Sequence, residues 1–102
     1  MKTYRNFIDG KYVDAADGRT LDVVNPATGQ AYATAPLSSP TDVDAAMRAA
    51  STAFESWRDS TPKDRSLALF RIADAIEARA EEFIALESEN CGKPIGITRS
   101  EE

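Results

Sequence analysis

Histidine is absent from the sequence, and cysteine occurs once, at Cys91. Without histidine neither a Cys-His nor a Ser-His pair can be assembled, so the usual activated nucleophiles are excluded within these residues. A lone cysteine cannot close an internal disulfide, which agrees with a reducing compartment. No apolar run approaches the ~18 residues of a membrane span, and the opening MKTYRNFIDG has no hydrophobic signal core, so a cytosolic protein without a membrane partner is expected. Surplus positive charge is missing too. The 12 Lys and Arg are outnumbered by 17 Asp and Glu, and the net charge of −5 is spread along the chain, which disfavours a nucleic-acid partner. Gly10, Gly18, Gly29, Gly92 and Gly96 are isolated, so there is neither a dinucleotide fingerprint nor a phosphate-binding loop.

What remains is an ordinary globular balance: 102 residues with 42% apolar and 28% charged side chains, the size of one modest domain. The chain is organised around Thr61 to Pro94, which reads as one long helical run. Thr61 can cap its first turn, Pro62 suits the first helical position, and Asp64 stands where the acid of a capping box stands. Leu69, Ile72, Ala73, Ile76, Ala80, Phe83 and Ile84 recur at helical spacing, and Gly92 followed by Pro94 ends the run. Leu67, Phe70 and Leu86 fall outside that stripe, so the helix wants neighbours on more than one side.

Upstream, Phe7-Ile8 and Tyr12-Val13 flank Asp9-Gly10, a two-residue turn signal that predicts a hairpin over Arg5 to Val13. Asp14 to Arg19 is a polar loop. Thr20 to Val24 is β-branched enough for a strand, which Pro26 stops. Asn25-Pro26-Ala27-Thr28-Gly29 is turn chemistry, and Gln30 to Pro36 reads as a second strand paired back on the first. Ser39-Pro40-Thr41-Asp42 repeats the helix-start pattern, and Val43, Ala46, Met47, Ala50, Phe54 and Trp57 predict a helix from about Pro40 to Arg58. That face is largely alanine and contributes little volume. Thr98-Arg99-Ser100-Glu101 resembles another capping box, yet the sequence stops one residue later, so the chain is expected to be a fragment. Short strands followed by two helices give an α+β class whose packing surface is partly supplied from elsewhere.

Chemistry-bearing candidates are few. Cys91 sits at a helix C-terminus, where the dipole raises rather than lowers a thiol pKa with Lys93 only a partial counterweight, so a structural role is favoured. Glu77, Glu81, Glu82, Glu87 and Glu89 are interleaved with Arg71 and Arg79 and have no histidine company, which reads as a solvated face rather than a metal site. Phe54 and Trp57 are assigned to packing. No catalytic or cofactor-binding residue is assigned.

Six segments in order resemble the N-terminal part of the NAD(P)-dependent aldehyde dehydrogenases: Phe7-Ile8-Asp9-Gly10-Lys11, Val23 to Gly29, Asp42 to Ala46, Trp57, Ile72-Ala73-Asp74 and Gly92-Lys93-Pro94. The wording Glu87 to Pro94 looks most like the aminobutyraldehyde and betaine-aldehyde members. The resemblance implies residues 1–102 as an incomplete N-terminal portion of an α/β, Rossmann-like cofactor domain. It also implies NAD as cofactor, an aldehyde substrate, the rest of the enzyme chain as partner, and a homo-oligomer, a homotetramer by the same analogy. The family's nucleophilic cysteine, oxyanion-stabilising asparagine, water-activating glutamate and pyrophosphate-binding glycine turn all fall beyond Glu102, and Cys91 does not match the nucleophile's motif. Several relatives bind a monovalent cation, and alignment places its ligands at the carbonyls of Val23 and Val24 and the carboxylate of Glu102. The rival expectations are a self-contained non-enzymatic helical interaction module and a natural truncation or pseudoenzyme remnant.

Overall fold

The computed structural model describes residues 1–101 and begins with a two-residue strand, β1 (Lys2–Thr3). The hairpin signal at Asp9-Gly10 is realised: both residues take positive φ, 53° and 75°. The chain therefore reverses within two residues, and β2 (Asn6–Ile8) pairs antiparallel with β3 (Lys11–Val13) in the register Asn6↔Val13, Phe7↔Tyr12, Ile8↔Lys11. Phe7 and Tyr12, opposed across the ladder, meet edge to face with centroids 5.3 Å apart.

Strand β4 (Thr20–Asn25) and strand β5 (Gln30–Pro36) are hydrogen-bonded neighbours. They fall where β-branching and the Asn-Pro-Ala-Thr-Gly turn place them. On the far side of β5, β1 adds in parallel, Lys2↔Ala33 and Thr3↔Thr34, giving the order β1-β5-β4. The sequence reading does not contain β1, because two residues are too short to display a period of two. Ala33 is fully buried in β5 and Ala15 nearly so.

Helix α1 (Pro40–Trp57) starts on Ser39, as its pattern predicts. The buried Asp42 carboxylate accepts the Ser39 N–H (2.8 Å) and hydroxyl (3.0 Å) through one oxygen, and the Ala16 N–H (2.8 Å) through the other. One side chain thus closes the helix start and ties the polar loop to it. Those hydrogen bonds, from Ser39 and Ala16, hold the Asp42 carboxyl below the usual carboxylate range. A folded pKa below the unfolded one means that the stabilisation is present above the unfolded value of about 4 and is lost as pH falls through the lower folded value. Ser39→Ala should destabilise by about 1 kcal/mol. Asp42→Ala should exceed it, because two backbone N–H groups lose their acceptor, and thermal melts between pH 3 and 7 should show the gap between wild type and Asp42→Ala closing at the acid end.

The second half is helical. Helix α2 (Pro62–Ala78) is capped by the Thr61 hydroxyl, which accepts the Asp64 N–H at 3.1 Å. The expected single run to Pro94 is corrected here: at Arg79 the backbone leaves the helical region (φ −118°, ψ 24°), and α3 (Ala80–Cys91) begins. The Arg79 N–H bonds to the Ile76 carbonyl in a tightened turn, and the Arg79 carbonyl receives the first bond of the next helix from Phe83. No glycine or proline marks the break, so residue type carries no signal of it. Its guanidinium instead grips Glu82 at 2.6 Å, one turn into α3, and Ile84 becomes the buried apolar side chain of that helix.

Gly92 ends α3 in the left-handed conformation its position demands, φ 71°. Helix α4 (Ile95–Glu101) follows at once, which corrects the reading of Thr98 as a helix start. Pro94 is the start, since its carbonyl accepts the Ile97 and Thr98 N–H groups and a missing proline N–H leaves no unmet donor there. Thr98, fully buried, lies inside the helix and turns its hydroxyl back to the Pro94 carbonyl at 3.1 Å.

Two compact units result: Met1–Val24 with Ala31–Asp59, and Asn25–Gln30 with the chain from Ser60 onward. Both leave most of their large apolar side chains exposed. In α1, Val43, Met47 and Phe54 are more than half exposed while Ala46 and Ala49 turn inward; in α2, Leu69 and Ile72 are 67% and 56% exposed. Buried apolar side chains among the described residues are limited to Ala15, Ala33 and Ile84. An exposed apolar stripe of this size marks an interaction surface or an aggregation hazard.

Candidate functional site

Chemistry-bearing side chains converge most closely in the second unit, around the junction of α3 and α4. Here the turn Asn25–Gln30 docks on Gly92. Asn25 builds the turn by accepting the Ala27 N–H on its side-chain oxygen (2.9 Å) and the Gly29 N–H on its carbonyl (2.8 Å). A Cβ added at Gly92 would lie 2.9 Å from Pro26 Cγ, so glycine is required twice, by its φ and by the proline ring against it. The two motifs Asn-Pro-Ala-Thr-Gly and Gly-Lys-Pro therefore meet in space, a contact between distant segments that no local pattern announces.

Ionic pairs surround this junction. Arg99 of α4 binds both oxygens of Glu81 on α3, and Lys93 lies 2.7 Å from Glu101 and 3.5 Å from Glu87. The hydrogen bond from Arg99 keeps the Glu81 carboxyl below its ordinary range, and the hydrogen bond to Glu101 raises Lys93 above its own. The Ser88 hydroxyl adds a neutral bond to the Lys93 carbonyl at 2.6 Å. Where α2, α3 and α4 adjoin lies an open groove of about 230 Å³ whose apolar wall is Ile76, Ala80, Phe83 and Ile84 and whose rim carries Glu81 and Arg99.

The candidates from the sequence fall in place as follows. Cys91 is the last residue of α3, exposed, with its thiol 3.5 Å from a Glu87 oxygen. With no histidine in the chain, Cys91 forms no Cys-His pair among these residues. Glu81, Glu82 and Glu87 each face an arginine or lysine on an exposed surface, as a solvated face requires. Among the described residues no group of three His, Cys, Asp or Glu is placed to hold a metal ion, and no helix is long and apolar enough to cross a membrane. Val23, half-buried, and Val24, 48% exposed, lie in β4, whereas Glu102 falls outside the described residues. Around the junction, Asn25 builds the turn, Gly92 ends α3, and Arg99 and Lys93 clasp α4 and its approach through Glu81 and Glu101.

Against known proteins, residues 12–102 match the model described as the aldehyde dehydrogenase family. A 2-aminomuconic semialdehyde dehydrogenase from Danio rerio is 43% identical over 95 residues, which is 93% of this chain and 19% of that protein. Among solved structures, an NAD-dependent aldehyde dehydrogenase from Sinorhizobium meliloti superimposes with a TM-score of 0.92 at 42% identity, covering 99% of this chain and 21% of that one. PnpE in complex with nicotinamide adenine dinucleotide superimposes with a TM-score of 0.91 at 40% identity, over 94% of this chain and 20% of that one. The chain thus spans about a fifth of the length of the relatives it matches.

Proposed function

Because the chain belongs to the aldehyde dehydrogenase family, we propose that it forms the N-terminal portion of the cofactor-binding domain of an NAD-dependent enzyme that oxidises an aldehyde to the acid. The observation that carries this reading is the pairing of a family match through residues 12–102 with α1 and α2 stripes left open to solvent. Leu69, Ile72 and Ile76 then pack against the remaining polypeptide of the enzyme, where full burial of each stabilises by roughly 1.5–3 kcal/mol. The reacting groups lie in that polypeptide, and these residues serve as scaffold.

An amino-substituted aldehyde is the substrate class this reading favours, in line with the wording of Glu87 to Pro94 and with the amino-bearing semialdehyde in the name of the Danio rerio relative. The same reading carries a cytosolic homo-oligomer, a tetramer by family analogy. It also carries a monovalent cation on the main-chain carbonyls of Val23 and Val24 with the carboxylate of Glu102, which lies outside the described residues, since hard cations favour oxygen donors. A self-contained interaction module would also present apolar faces, but it leaves the family match unexplained.

Incubating the 102-residue polypeptide with NAD and an aminoaldehyde tests where the chemistry resides. No NADH above a protein-free blank is expected; turnover by these residues alone would overturn the assignment.

A further inference from the structure

We draw no further inference here: the strongest candidate, the groove of the second unit walled by Ile76, Ala80, Phe83 and Ile84 and rimmed by Glu81 and Arg99, belongs to the apolar surface already assigned to the remaining polypeptide of the enzyme, and nothing in the structure shows a separate occupant.

Discussion

Ile72→Ala is expected to change the sign of its effect with its surroundings. In the complete enzyme proposed above, Ile72 would lie in a covered interface, and the substitution should destabilise by about 2–5 kcal/mol, the range for truncating a buried isoleucine. In the 102-residue polypeptide Ile72 is 56% exposed, so little packing is lost. Alanine is the better helix former, and the same change should there be neutral or stabilising by a few tenths of a kcal/mol. Ile76→Ala, one turn further along the same stripe, should behave alike. Denaturant unfolding of both variants in both contexts reads the difference. Small effects of equal size in the two contexts would mean that nothing covers α2.

Gly92→Ala should be the most damaging single substitution within the segment itself. Alanine meets two penalties there. A left-handed backbone costs a residue with a Cβ about 1–2 kcal/mol, and the methyl group runs into the Pro26 ring, for which overpacking typically adds about 1–3 kcal/mol. Together they amount to roughly 2–5 kcal/mol. Gly29→Ala separates the two, since Gly29 also has a positive φ of 72° but open space where its Cβ would go. It should therefore show the backbone penalty alone. Combining Gly92→Ala with Pro26→Ala should restore part of the loss, and a double-mutant cycle without such coupling would remove the Pro26 contact from the account.

Local chemistry made much of the fold legible. Asp9-Gly10 names its hairpin because few residues accept two consecutive positive φ values. Ser39 and Thr61, each followed by proline and an acid, name two helix starts because unmet N–H groups need acceptors at fixed spacing. What the sequence hid was set by distant contacts. Arg79 is a good helix former, so its residue type gives no sign that the run breaks before Ala80. Thr98 carries a capping signature but is internal to α4, because Pro94 had already supplied a start.

For the site the situation is reversed. The composition alone, with no histidine, excludes a Cys-His or Ser-His pair among these residues. The Pro26–Gly92 contact was invisible because its two halves carry turn and cap signals that each make sense alone. The unmet apolar stripe was legible in the spacing of Leu69, Ile72 and Ile76, and its exposure in the folded chain is the physical counterpart of that pattern.

The most direct test is the fluorescence of 1-anilinonaphthalene-8-sulfonate titrated with the 102-residue polypeptide at neutral pH. Open stripes on α1 and α2 predict strong enhancement, the response of apolar surface that water can reach. A dye signal no greater than that of a well-packed globular control would mean that these side chains are already enclosed, and would contradict the claim that they are built to be covered by further polypeptide.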